Sequence, residues 1–295
     1  MHLTGSMCAI VTPFSNGQVD EDALKRLIDF QIENGTSALI PCGTTGESAT
    51  LSHEEHNRVI ERTIANANGR VPVIAGTGSN STVEAISLTK EAKNSGADAA
   101  LLITPYYNKP TQDGLYAHYM AVADAVDIPI VLYNVPPRTG VSINPETVAR
   151  LSSHSNIVAI KEASGSMDYV SQLRTMCDLP ILSGNDSLTL PLLSLGAIGA
   201  ISVVANVAPR QCSELVAAAL SNDWSRARDI HVHMFDFVET LFIETNPIPV
   251  KAALAMMGII DDELRLPLVS LQEKYREKLQ LAMTKMELLP TAAAR

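Results

Sequence analysis

Through the first three quarters of the chain, short β-branched apolar runs alternate with longer stretches of helical spacing. The runs fall at residues 7–12, 38–42, 71–75, 99–104, 128–133, 157–160, 180–183 and 197–204. They are apolar at consecutive rather than alternate positions, the pattern of parallel strands covered on both faces. Helix starts lie between them. Ser52-His53-Glu54-Glu55 and Ser81-Thr82-Val83-Glu84 have the form of capping boxes, and Asn144-Pro145 supplies an N-cap followed by proline at the first helical position. Eight strand–helix units predict an α/β chain folded as a (β/α)8 TIM barrel, a fold of about 250 residues. The rival doubly wound sheet needs a G-x-G-x-x-G turn after its first strand, and the turn here is Pro13-Phe14-Ser15-Asn16-Gly17.

From about Asp223 the strand pattern stops. Residues 231–243, 250–257 and 268–286 read as helices, with Asn246-Pro247-Ile248-Pro249 between the first two. No Gly/Ser-rich tether precedes them, so the chain divides into a barrel (1–222) and a C-terminal helical extension (223–295) rather than linker-separated domains.

Composition narrows the functions. The 295 residues carry 32 Asp+Glu against 22 Lys+Arg, a formal charge of −10, which disfavours nucleic acid and anionic membranes as partners. An anionic substrate would have to be caught by local positive groups. Aromatic residues are only 4%, too few for a base-stacking platform. Cys8, Cys42, Cys177 and Cys212 are far apart and form no C-x-x-C pair, so neither a zinc ribbon nor a disulfide framework is expected, and a reducing cytoplasm suits them. The start given carries no basic n-region, and no apolar run is long enough to span a bilayer.

In such a barrel, chemistry sits where strands end. Lys161 follows Ile157-Val158-Ala159-Ile160 and is the sharpest candidate. Burial there lowers the pKa of an amine, and a neutral amine condenses with a ketone to a Schiff base. A lysine pairing with Glu162 or a neighbouring acid at a strand end is the alternative. Tyr133 ends the preceding strand and could shuttle protons, or it is a rim aromatic. Thr44 and Thr45 lie in a glycine-flanked turn that could hold a small carboxylate. Arg138, stiffened by Pro136-Pro137, could grip a second carboxylate, although a solvated arginine is the simpler reading. His53-Glu54-Glu55-His56 resembles a zincin motif but has Asn57 in the second histidine slot. Gly76-Thr77-Gly78-Ser79 has no lysine at P-loop spacing, and His231 and His233 read as packing or surface groups.

With these residues in view, essentially the whole chain resembles the dihydrodipicolinate synthase family of the pyruvate-dependent class I aldolase superfamily. The likeness is carried by Gly43-Thr44-Thr45-Gly46-Glu47, Tyr133-Asn134-Val135-Pro136-Pro137-Arg138, Ile160-Lys161-Glu162-Ala163-Ser164, Ser183-Gly184-Asn185-Asp186 and Asn246-Pro247-Ile248-Pro249-Val250-Lys251. Ser164 departs from the threonine common in relatives. The resemblance implies that Lys161 forms an imine with pyruvate and that Tyr133, Thr44 and Tyr107 form a proton relay, Tyr107 arriving from a second subunit. It implies that Thr45 holds the pyruvate carboxylate, with Gly184 and Ile201 lining the site, and that Arg138 receives the carboxylate of L-aspartate 4-semialdehyde. Neither metal nor cofactor is implied, and a homotetramer is. Ser48, Ala49, His53, His56, Asn80, Glu84 and Tyr106 match the pattern of lysine-inhibited members. Tyr106 beside Tyr107 on a strand would face the opposite way and couple the two sites. Two other readings compete: a 2-keto-3-deoxy sugar-acid aldolase, which would have no use for Arg138, and a silent keto-acid sensor, which would have no use for the intact set Lys161, Tyr133 and Thr44.

Overall fold

The computed structural model describes residues 3–289. Met1, His2 and residues 290–295 of the expected extension lie outside it. In chain order the strands are β1 (Gly5–Cys8), β2 (Phe14–Ser15), β3 (Gln18–Val19), β4 (Ile74–Gly76), β5 (Ala99–Ile103), β6 (Ile130–Asn134), β7 (Ile157–Glu162), β8 (Ile181–Ser183) and β9 (Gly199–Ser202). Seven of them form one sheet in the order β1-β9-β8-β7-β6-β5-β4. The first and last strands pair in parallel through Gly5↔Gly199 to Cys8↔Ser202.

The gap between β1 and β4 is closed by Leu39, which bridges Cys8 on one side and Val73 on the other, both in parallel. Main-chain bonds run from Ile40 N to Cys8 O and from Ile74 N to Leu39 O. The sheet is thus a closed eight-membered parallel barrel, the predicted fold. The expected second strand over 38–42 contracts to this one bridging residue. Pro41 has no N–H to give to a ladder, and Cys42 lies at φ 55, where a strand cannot continue. The Asn16-Gly17 pair, read above only as a turn, closes the small β2–β3 hairpin, both residues at positive φ.

Barrel helices α1 (Glu21–Glu33), α2 (His53–Ala67), α3 (Thr82–Asn94) and α4 (Gln112–Ala125) precede a short turn, α5 (Pro136–Thr139). Then come α6 (Pro145–Leu151), α7 (Met167–Met176), α8 (Thr189–Ser194) and α9 (Pro209–Leu220), and the last three, α10 (Trp224–Thr240), α11 (Ile248–Met256) and α12 (Glu273–Lys285), follow the barrel. The helix expected from 231 begins earlier because the Asp223 carboxylate accepts from Arg226 N and caps it. Ser52 and Glu55 make the expected capping box. Ser81 caps α3, but Glu84 does not return the bond: its carboxylate turns to Ser79 and His53. Pro145 opens α6 as expected, although the Asn144 side chain makes no cap bond.

Side chains sort by parity along each strand. Val131, Tyr133, Ala159, Leu182 and Ile201 fill the barrel, while Ile130, Leu132, Ile160 and Ile181 face the helices. Phe237, Leu241, Val250, Leu254 and Leu279 of the last three helices share one apolar cluster with Cys8, Leu24 and Leu27. The extension is therefore packed onto the barrel. Among the described residues no helix is long and apolar enough to cross a membrane.

Candidate active site

Strand register places the central pair. Tyr133 of β6 lies opposite Lys161 of β7, and Asn134 opposite Glu162. Neighbours in a parallel pair share a face, so Tyr133 and Lys161 both point into the barrel mouth while Asn134 and Glu162 point away. The Lys161 ammonium sits 4.3 Å from the centre of the Tyr133 ring. Glu162 is spent elsewhere, accepting from Asn134 Nδ2 at 2.8 Å and from Ser164 N at 2.5 Å. The alternative pairing of Lys161 with Glu162 is therefore not made.

Lys161 is only 5% exposed. Burial brings its pKa down to about 8, opposed by the carboxylate of Asp186 and assisted by the Arg138 guanidinium. At neutral pH about one amine in ten is then uncharged, against fewer than about one in a thousand for an ordinary lysine. Burial likewise pushes the Tyr133 phenol up, while Arg138 and a hydrogen-bonding contribution from Thr44 pull it back. Gly184 is set by the lysine itself. A Cβ there would lie 2.9 Å from both Cγ and Cε of Lys161, so only glycine lets the aliphatic stem pass. Asp186 follows on the same loop, and its carboxylate accepts from Ser202 Oγ and from Val203 N. Sequence reasoning named Ser183-Gly184-Asn185-Asp186 without giving this acid a role; a carboxylate three residues past a strand end was the available signal.

The turn bearing Thr44 and Thr45 is anchored from the extension. Glu47, at φ 53, forms a wholly buried ion pair with Lys251 at 2.6 Å and accepts from Arg265 N at 3.1 Å. Lys251 also donates to Thr12 O at 3.0 Å and lies 4.3 Å from the Phe14 ring centre. Thr45 accepts from Asn246 Nδ2 at 3.0 Å. Arg138 is exposed, and its Nη2 reaches the main-chain oxygen of Asn246 at 3.4 Å. Asn246 and Lys251 entered the sequence reading only as part of a motif, because nothing local says which turn they reach.

Thr44, Tyr133 and Arg138 open onto a cleft of about 510 Å³ whose walls also include Ser48, Ala49, His53, His56, Glu84 and Tyr106. Lys161, Thr45 and Ile201 are screened from solvent, and Ile201 pairs with Met7 in the barrel wall. His53 Nε2 meets Glu84 at 2.9 Å. His56 is buried, its Nε2 hydrogen-bonded to Gly76 O at 2.8 Å, and burial lowers its pKa. Asn80 is half-buried, and Asn108 Nδ2 donates to its carbonyl. One expectation is corrected. Tyr106 and Tyr107 are past the end of β5, so strand alternation does not orient them. Tyr107 instead sits at φ 71 and is 90% exposed. Among the described residues no group of three or more His, Cys, Asp or Glu is placed to hold a metal ion.

A barrel with a buried amine and phenol side by side at its mouth defines a class of lyase. The comparisons narrow it. The profile described as the Dihydrodipicolinate synthetase family matches residues 2–286. The chain is 60% identical to the 4-hydroxy-tetrahydrodipicolinate synthase of Syntrophus aciditrophicus over 95% of its own length and 97% of the relative's. Among solved structures it is similar to the chloride-inhibited dihydrodipicolinate synthase from Acinetobacter baumannii complexed with pyruvate, with TM-score 0.96, 49% identity and coverage of 98% and 100% of the two chains. The synthase from Cyanidioschyzon merolae with lysine bound gives TM-score 0.95 and 40% identity, at 98% and 100% coverage. The chain belongs to the dihydrodipicolinate synthase family, and it is a lyase of the 4-hydroxy-tetrahydrodipicolinate synthase kind.

Proposed function

We propose that the chain condenses pyruvate with L-aspartate 4-semialdehyde through an imine on Lys161, in the diaminopimelate route to lysine. The observation that carries this reading is the buried Lys161 amine, held near pKa 8 beside the Tyr133 phenol. Neutral Lys161 Nζ attacks the ketone carbon of pyruvate. Tyr133, relayed through Thr44 and through a Tyr107 supplied by a second copy, protonates the departing hydroxyl, which leaves as water. The resulting iminium draws electrons from the methyl group, which loses a proton to give an enamine. That carbon attacks the aldehyde, and the new alkoxide takes a proton. The substrate's own amine then displaces Lys161 from the imine carbon, closing the ring and restoring the free lysine.

Two anions need holding. Thr45 binds the pyruvate carboxylate near Gly184 and Ile201, and Arg138 binds the carboxylate of the semialdehyde. The position of Arg138 on the cleft wall favours this acidic aldehyde over a polyhydroxylated sugar acid. The resident groups supply both nucleophile and acid–base chemistry, so the reaction needs neither metal nor cofactor, and as a biosynthetic step it belongs to the cytoplasm.

L-lysine inhibits by binding the other end of the cleft, through Ser48, Ala49, His53, His56, Asn80, Glu84 and Tyr106. The Glu84 carboxylate is the group for its ammonium, and the lysine-bound relative lends support. Tyr107, exposed here, enters the site in a homotetramer built as a dimer of dimers.

The test is borohydride reduction with pyruvate followed by peptide mapping. A stable adduct on Lys161 is expected; an adduct elsewhere, or none, would overturn the mechanism. Lysine titration into the steady-state assay tests the second site, and full activity at millimolar lysine would refute it.

A further inference from the structure

Asn246 stands where the helical extension meets the barrel mouth, touching both anion-binding positions. It is 6% exposed. Its Nδ2 donates to Thr45 Oγ1 at 3.0 Å, and its main-chain oxygen accepts from Arg138 Nη2 at 3.4 Å. Its side-chain oxygen is buried with no hydrogen-bond partner. An unpartnered buried amide oxygen is a standing cost. It is retained here in the orientation that commits the nitrogen, not the oxygen, to Thr45.

That orientation has a chemical consequence. A threonine hydroxyl carries one proton to donate and two lone pairs to accept with. Because Thr45 accepts from the amide, its own proton is left uncommitted. We infer that Asn246 is a positioning residue that sets the polarity of the Thr45 hydroxyl, so that its proton is presented to the carboxylate of the bound keto acid. This rests on the pyruvate reading above and deepens it, since it gives a residue of the extension control over how the first substrate is held.

The inference ranks substitutions in an order that shape alone would not. Asn246→Asp nearly preserves shape, but a carboxylate can only accept, so it takes the Thr45 proton away from the ligand. Asn246→Ala leaves the hydroxyl free to turn to the ligand unaided. Both are compared by steady-state kinetics with pyruvate and L-aspartate 4-semialdehyde, alone and combined with Thr45→Val, with thermal melts to confirm folding. Asn246→Asp is expected to raise the KM for pyruvate about tenfold or more, the loss of one charge-assisted hydrogen bond, with kcat changed far less. Asn246→Ala is expected to raise it less, and Asn246→Asp is expected to add almost nothing in the Thr45→Val background.

A purely structural role would make alanine the worse substitution. Simple repulsion of the ligand by a new charge would persist without the Thr45 hydroxyl. Either result overturns the inference. Should Asn246→Asp not fold, Asn246→Ala carries the test: its KM must rise less than that of Thr45→Val, and equality overturns the inference. Failure of the unmodified protein to be trapped by pyruvate and borohydride would instead remove the functional reading beneath it.

Discussion

Lys251→Met deletes one partner of a wholly buried ion pair and leaves the other stranded. Both side chains of the Glu47–Lys251 pair are 0% exposed and lie 2.6 Å apart. After the substitution Glu47 keeps only the main-chain N–H of Arg265, at 3.1 Å, and loses its countercharge. Methionine fills the volume against Phe14, so little cavity term is added. Breaking a buried pair from one side costs about 3–5 kcal/mol, because the remaining charge is left uncompensated. For a chain of this size that lowers Tm by roughly 10 °C. Adding Glu47→Gln removes the stranded charge while keeping an acceptor for Arg265, so the double variant should recover at least half of the loss. The assay is thermal and urea unfolding of both single variants and the double, at a fixed protein concentration because association shifts apparent stability. A Lys251→Met cost below about 1 kcal/mol, or a double variant as unstable as the two single losses added together, would refute the argument.

Five further outcomes are expected. Capture of the pyruvate imine by borohydride should quicken about tenfold per pH unit below 8 and level off above it, and Asp186→Asn should move that inflection downward, since the carboxylate raises the Lys161 pKa. Because unfolded lysine titrates near 10.5 and the folded group near 8, the folded chain binds fewer protons in between, so the Lys161 contribution to stability is least favourable below 8 and improves as pH rises through that window; a melt series from pH 7 to pH 10, compared with Lys161→Met, reads the difference. Gly184→Ala, whose new methyl would lie 2.9 Å from Lys161 Cγ and Cε, should displace the amine and cut kcat/KM by about a hundredfold while costing about 1–3 kcal/mol of stability; near-normal turnover would show that the lysine has room to spare. His53→Ala and Glu84→Ala should weaken lysine inhibition while leaving kcat near that of the unmodified enzyme, and mixing Tyr107→Phe with Lys161→Ala should regain up to about a quarter of normal activity if the tyrosine comes from a second copy.

Legibility differed from residue to residue. Lys161 was conspicuous because a cation closing an apolar strand run has few structural uses, and Tyr133 followed because its own run ends the preceding strand. The glycines around Thr44 and Thr45 marked a turn where a ligand could meet the backbone. Asp186 and Asn246 carried no comparable mark: an acid after a strand and an asparagine before a proline are common in any chain. The second strand failed as a prediction because hydrophobicity extends over 38–42 while Pro41 and the left-handed Cys42 end the pairing. The second capping box failed because the Glu84 carboxylate is held by Ser79, just before the helix, and by His53 of α2, rather than by the main chain of Ser81.

The sequence by itself determined the alternation of strands and helices and the closed barrel that follows from it, and it marked Lys161 as the candidate amine. These depend on periodicity and on the parity of neighbouring residues, which are local properties of the chain. Only the tertiary structure decided how far the Lys161 pKa falls, which acid stands near it, and how the extension grips the Thr44–Thr45 turn through Glu47, Lys251 and Asn246. The grip on the turn joins residues roughly two hundred positions apart in sequence, and the burial and charge interactions that set the Lys161 pKa act through space rather than along the chain.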